Sequence, residues 1–435
     1  MPKKRTLRWL PLDNAAKIYP AARRSNWSNV YRLSATLTEE VDTALLEQAL
    51  ETVVCRFPSL AVRLRRGLFW YYLQELSHPP AISEESCYPL TYMSKAEIRR
   101  CAFRILVYRD RIALEIFHSL TDGNGALVFL KTLLAEYLER RYGLSVPATD
   151  GVLDRHEAPS PAEWEDSFQK YSGAVAASRR ELTAWRLGGT PELGSFLHLT
   201  CLQLSVDEVR QKAKEYGVSV TAFLCAAMMV ALQNYQRECI PDRRKRPPIR
   251  VLIPVNLRRL YDSCTLRNFV LYTTPEILPQ LGDYDFAEIC RIVTVQMELD
   301  ITPKKMSTKI AVNVNSERLM AVRVMPLFIK NMVMKAIFDA VGERKSCLSL
   351  SNLGAVTLPE VMRPYVRRMD FILGVQAAAP SNCGVLSYGG TVYVNFIRNV
   401  KEASLERHFF EVLREHGLSV TAESNQRKEN ADVLR

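Results

Sequence analysis

Ile112-Ala113-Leu114-Glu115-Ile116-Phe117-His118-Ser119-Leu120-Thr121-Asp122-Gly123 runs an apolar strand into a polar turn, and Leu127, Leu130, Leu134 and Leu138 then recur at helical spacing. His118 therefore falls in the loop between a buried strand and an amphipathic helix, where a rigid scaffold presents it. Imidazole is the side chain whose ordinary pKa lies nearest neutrality, so it can take a proton from an alcohol or amine and return it to a leaving group. Asp122 sits at the helix start, where a carboxylate satisfies free backbone donors or holds a cation. Gly123 and Gly125 keep the turn tight and open.

A short H-x-x-x-D-G string also arises by chance, and three further segments give it weight. Ile253-Pro254-Val255-Asn256-Leu257-Arg258 ends a strand, and Asn268-Phe269 follows ten residues later. Ser351-Asn352-Leu353-Gly354 closes a second apolar strand, Cys347 to Leu350. In this order the segments resemble the chloramphenicol-acetyltransferase-like superfamily: alcohol acetyltransferases, polyketide-associated acyltransferases, wax-ester synthases and the condensation domains of peptide synthetases. The resemblance runs from about Trp9 to about His416. Many condensation domains and wax-ester synthases carry two adjacent histidines, whereas Phe117 precedes His118 here, which leans toward the alcohol-acetyltransferase and polyketide-associated branches.

The resemblance implies an α+β fold of two lobes with mixed sheets flanked by helices, and an active-site tunnel at their junction reached from either side. It implies His118 as general base, with Asp122 structural and paired with Arg258 so that the ion pair holds the His118 loop with Gly123. Ser351 and Asn352 become the oxyanion or cleft residues. The activity implied is acyl-CoA-dependent O-acyl transfer to an alcohol. Acyl-CoA is then a substrate and no cofactor or metal is bound. The alternative is a condensation-type enzyme that draws on an acidic acyl carrier protein through its phosphopantetheine and forms an ester or amide. Acyl length and the identity of the acceptor are not readable, because tunnel residues scatter through such a fold.

Length and composition agree with two lobes. A chain of 435 residues with an apolar share of 48% exceeds one ordinary core. The longest apolar run, Ala222 to Leu232, is about half of the roughly 20 residues a spanning helix needs. Met1 to Arg8 is basic but lacks the apolar stretch of a secretory signal. The ten cysteines form no C-x-x-C pair, and Cys201, Cys225, Cys290 and Cys347 fall inside apolar patterns, so they read as reduced core residues of a cytoplasmic monomer. The net charge of +11 is partly local, with Lys3, Lys4 and Arg5 at the start and Arg243, Arg244, Lys245 and Arg246 before Pro247-Pro248. Both runs read as solvated segments. The functional readings of the charge are an anionic acyl carrier or peripheral contact with an anionic membrane surface. Nucleic acid is excluded, since no motif for it accompanies the charge.

Periodicity predicts strands over Val30 to Leu37 and Ala102 to Tyr108, a helix over Glu40 to Arg56, and a hairpin from Leu60 to Leu73. Gly143 to Pro161 is proline-rich and charged, which divides the chain into an N-terminal lobe of residues 1–160, a linker of residues 161–193, a C-terminal lobe of residues 194–420 and a flexible tail of residues 421–435. In the second half, strands are predicted over Phe196 to Leu204, Ile249 to Val255, Val270 to Leu278, Arg367 to Gln376, Val385 to Tyr388 and Thr391 to Ile397. Helices are predicted over Ser205 to Tyr216, Ser219 to Gln236, Phe286 to Leu299, Lys304 to Met320 and Ser404 to His416. Met325 to Val341 reads as a core or lobe-packing helix, since an interfacial helix carries a cleaner charged face. His78 and His156 read as loop residues, His198 as a strand residue, and His408 and His416 as helix surface or packing. No G-x-S-x-G elbow supports a hydrolase nucleophile.

Overall fold

The computed structural model describes residues 7–23, 29–173, 183–338, 344–376 and 379–426. The motif strand Arg111–Phe117 lies at the centre of a five-stranded sheet, between Val30–Leu37 and Phe103–Tyr108. Its residues from Ile112 onward are buried on both faces, which is why its sequence is a continuous apolar run. Two helices cover one face. Thr43–Arg56 turns Leu46, Ala49, Leu50 and Val53 inward, and Asp42 caps it by accepting from the Leu45 N–H at 3.0 Å. Gly123–Tyr142, the motif helix, is buried along most of its length and ends at Gly143, whose φ of +64° needs a residue without a Cβ.

The second lobe is an eight-stranded mixed sheet. Leu348–Ala355 runs parallel to both Ile249–Asn256 and Ser381–Tyr388, and the other pairs are antiparallel. The helices Val220–Cys239, Phe286–Asp300 and Ser404–Glu415 supply the side chains of its core. The strand expected over Val270 to Leu278 is two short strands, Val270–Thr273 and Glu276–Ile277, because Pro275 has no N–H for the ladder.

Two expectations about organisation need correction. Val366–Ile372, placed by sequence in the C-terminal lobe, is the edge strand of the first sheet and pairs antiparallel with Val30–Leu37. Its alternation suits the place: Met369 and Phe371 enter the first lobe's core, while Arg368 and Asp370 face away from it. The linker of residues 161–193 is packed where it is described. Phe168 is fully buried against Phe269, Leu257, Met306 and Ile310 in a small third core, and Trp185 joins the second lobe's core; residues 174–182 lie outside the described residues. The flexible tail begins later than residue 421. Val420–Ser424 adds to the edge of His198–Ser205 through backbone hydrogen bonds, which polar side chains do not prevent. The tail's residues 427–435, like Lys3, Lys4 and Arg5, lie outside the described residues.

Cys201, Cys225, Cys290 and Cys347 are buried free thiols, and burial pushes the Cys290 thiol up to about 12. Of the second basic run, only Arg243, Arg244 and Lys245 are solvated; the buried Arg246 donates to the Ile240 carbonyl at 2.8 Å and the Pro241 carbonyl at 3.1 Å, closing the end of the long helix.

Because the crossing strand ties the far half of the chain into the first sheet, the lobes should unfold together. Phe371, 2% exposed and edge-on to Tyr31, is the test. Phe371→Ala should cost about 3–5 kcal/mol in urea denaturation, with fluorescence and circular dichroism still following one transition. Two separated transitions in the parent chain would contradict this coupling.

Candidate active site

His118 follows the motif strand directly, and its backbone N–H donates to the Asn29 carbonyl at 2.9 Å, which fixes the turn. Tyr19 stacks on the imidazole with centroids 4.5 Å apart, and Tyr31 meets it edge-on at 5.0 Å. Nδ1 lies 3.1 Å from Oδ1 of Asn268. That amide is oriented from behind by Asp13, whose Oδ2 accepts from Asn268 Nδ2 at 3.2 Å. An amide oxygen only accepts, so Nδ1 carries the proton and Nε2 keeps its lone pair. Desolvation lowers the His118 pKa below the ordinary imidazole value, opposed by its backbone hydrogen bond, the Asp122 charge and the Asn268 hydrogen bond. The ring is therefore a neutral base at neutral pH.

Asp13 is fully buried. Burial raises its pKa, and the Arg267 guanidinium at 3.6 Å and the Ala16 N–H at 2.7 Å oppose the rise. Burial also raises the phenols of Tyr19 and Tyr31, so both stay protonated and wall the histidine with uncharged rings.

Asp122 serves two elements with its two oxygens. Oδ1 accepts from the N–H groups of Asn124 and Gly125, both at 3.1 Å, and so caps the motif helix. Oδ2 accepts from Arg258 Nη1 and from the Phe269 N–H, both at 2.8 Å. Arg258 spends its other donors on the carbonyls of Thr265, at 2.7 Å, and Arg267. The guanidinium thus shapes the loop leading to Val270–Thr273, and that loop carries Asn268 to His118. The structure brings Asp122, Arg258 and His118 together through this loop.

Neither glycine of the motif has a positive φ, and close approach requires Gly125 alone. A Cβ on Gly125 would lie 2.1 Å from Thr121 Oγ1 and 2.2 Å from the Leu266 carbonyl. A Cβ on Gly123 would meet only the tip of Leu353, at 2.8 Å.

That contact also locates the Ser351-Asn352-Leu353-Gly354 segment, whose Leu353 packs at the start of the motif helix. Ser351, Gly384, Asn395 and Cys201 are successive cross-strand partners, so they share one face of the second sheet. The Phe371 carbonyl lies over Gly384, so the crossing strand divides that face. On one side are Ser351 and Leu353. Asn352 is committed: its amide donates to Thr221 Oγ1 at 3.1 Å and its oxygen accepts from the Gly354 N–H at 2.8 Å. On the other side opens a polar cleft of about 770 Å³ between the sheets. Arg32, paired with Glu85 at 2.6 Å, and Arg368, paired with Asp370 at 2.8 Å, line it with Cys201 and Asn395. Neither His118 nor Ser351 is among its lining residues.

The remaining histidines stand elsewhere. His198 is buried against Glu192 at 2.8 Å, His408 lies between Glu238 and Glu411, His416 packs on Phe286, and His78 and His156 are exposed. Phe117, at the position of a paired histidine, is fully buried. The sequence reading missed Asp13, Tyr19 and Tyr31. Asn268 was singled out without a role; its spacing from Arg258 was the available signal.

No family model matches the chain, and no curated protein matches it. Solved structures do. The chain is similar to F. graminearum TRI101 complexed with ethyl coenzyme A (TM-score 0.62, 9% identity, covering 95% of this chain and 100% of that one). It is similar to TRI3 trichothecene 15-O-acetyltransferase from Fusarium sporotrichioides (TM-score 0.60, 13% identity, 94% of each chain). The first condensation domain of the CDA synthetase is a third (TM-score 0.57, 12% identity, covering 96% of this chain and 100% of that one). The chain has the two-lobed chloramphenicol-acetyltransferase-like fold of these proteins.

The Asp122–Arg258 pair is 2% and 15% exposed, so removing either partner strands a buried charge. Asp122→Asn and Arg258→Met should each cost about 3–5 kcal/mol, and the double variant should lose much less than the sum. A double-mutant cycle by chemical denaturation measures this, and strict additivity would show that the pair does not act as a unit.

Proposed function

We propose that this chain transfers an acyl group from acyl-CoA to a hydroxyl acceptor by direct attack, with His118 as general base. The observation that carries the reading is the Asn268 contact on Nδ1, with Nε2 of the neutral, desolvated imidazole forming no hydrogen bond among the described residues. Nε2 takes the hydroxyl proton while the acceptor oxygen bonds to the thioester carbonyl carbon. The carbonyl oxygen becomes the oxyanion of a tetrahedral intermediate. Collapse breaks the carbon–sulfur bond, and the imidazolium returns its proton to the departing thiolate. No nucleophilic side chain is needed.

For the oxyanion, Ser351 is the better candidate of the two residues expected. Its hydroxyl forms no hydrogen bond among the described residues, whereas the Asn352 amide already serves Thr221 and Gly354. The names of similar structures support the reaction class: one is a 15-O-acetyltransferase, and another holds ethyl coenzyme A. Burial of Phe117 leaves a single histidine at the site and favours ester formation over the condensation-type reading. The free thiols fit a reducing, cytoplasmic setting.

The test is release of free CoA and formation of ester when the purified chain meets a panel of acyl-CoAs and alcohols. His118→Ala should lower turnover by about 10²- to 10⁴-fold. With the base pKa depressed, kcat/KM should be full at neutral pH and fall only as pH drops through a value below about 6.5. Retention of most activity by His118→Ala would remove the histidine from the mechanism. Turnover of carrier-bound thioesters with none from any acyl-CoA would instead select the carrier-protein reading.

A further inference from the structure

The segment of residues 318–338 holds four basic residues, Arg318, Arg323, Lys330 and Lys335, and no acidic one. Sequence reads its helix as a core or lobe-packing one; the structure packs it on Ile18–Ala22 and the turn at Leu68–Trp70, with much of its apolar surface left exposed. In Leu327–Ile337 only Leu327 and Lys330 are fully buried. The Leu327 N–H donates to the Leu68 carbonyl at 2.9 Å, and Lys330 Nζ donates to the Phe69 carbonyl at 2.8 Å while sitting 3.4 Å from the centre of the Trp70 ring. These contacts clamp the helix to the turn between Val62–Arg66 and Tyr71–Glu75 and leave its apolar side outward. Phe328, Met332 and Ile337 are each more than half exposed, as are Met320 and Val324 on the preceding short helix and Leu68 in the turn.

A contiguous apolar surface of this kind on a water-soluble chain marks an interaction site. Its unpaired border charge is positive: the nearby carboxylate of Glu317 is taken up by Lys17. Arg66, Arg323 and Lys335 are exposed and form no ion pair among the described residues, and the turn segment Val62 to Tyr71 contains arginines and no carboxylate. A second copy of this face would set those cations against their own kind. No single helix among the described residues is long and apolar enough to cross a membrane.

We infer that this face docks peripherally on an anionic lipid bilayer. Phe328, Met332 and Leu68 enter the boundary between headgroups and acyl chains, and Arg66, Arg323 and Lys335 lie at the level of the lipid phosphates. The helix packs on Ile18–Ala22, whose Tyr19 covers His118, so the docked face is one helix removed from the base. The inference rests on this surface alone and stands or falls separately from acyl transfer.

Flotation of the full chain with vesicles of phosphatidylcholine, with or without about one-third phosphatidylglycerol, tests it. The chain should float with the anionic vesicles, far less with the neutral ones, and less as salt rises. Arg323→Gln and Lys335→Gln should each weaken partitioning by roughly fivefold, and Phe328→Glu with Met332→Glu should abolish it. Since these side chains are exposed, thermal melts of all variants should match the parent, which separates lost docking from lost folding. Equal recovery on both vesicles, or none on either, overturns the inference. So does a concentration-dependent dimer in light scattering that Phe328→Glu disperses, which would assign the face to a second copy.

Discussion

Asp122 accepts four hydrogen bonds with one carboxylate, and those four bonds join the lobes. Two begin the motif helix in the first lobe. The other two take hold of Arg258 and the Phe269 backbone in the second. Since Arg258 also gathers the Thr265 and Arg267 carbonyls, the loop between them has little freedom left, and Asn268 arrives at His118 as a consequence. Burying such a pair costs desolvation that hydrophobic residues would not. What it supplies is position: the tautomer of the histidine depends on a residue about 150 positions away in sequence.

The site is layered outward from the imidazole. Tyr19 and Tyr31 strip water from the ring and hold its pKa down, Asn268 keeps the proton on Nδ1, and Asp13 with Arg267 keeps the amide from turning over. Asn268 can orient but cannot relay a proton, and the charges of Asp122 and Asp13 nearby favour a protonated ring, against its desolvation.

Much of this was legible before the structure, and for definite reasons. The motif strand is buried on both faces and the motif helix follows a capping aspartate, so period and cap both registered in sequence. The strand Val30–Leu37 was readable to the residue. Partners of strands were not. Val366–Ile372 reads as a strand anywhere, and only the vacant edge beside Val30–Leu37 decides its sheet. Val420–Ser424 was missed because a strand held by backbone bonds at an edge needs no apolar side chains. Asp13 lies just before, and Tyr19 within, helices of only three and five residues near the chain's start, too short for periodicity to mark burial. The helix Leu327–Ile337 reads as a core or lobe-packing helix because apolar residues usually face inward; only the turn at Leu68–Trp70, which occupies one of its faces, shows how much of it stays outward.

The central claim, that an interlobe network presents His118 as a neutral base with Nε2 free, is tested most directly by nitrogen-15 NMR of the imidazole at neutral pH. The account predicts a protonated Nδ1 and an unprotonated Nε2 in the parent chain, and loss of that single tautomer in Asn268→Ala. A proton on Nε2, or an imidazolium at neutral pH, would contradict it.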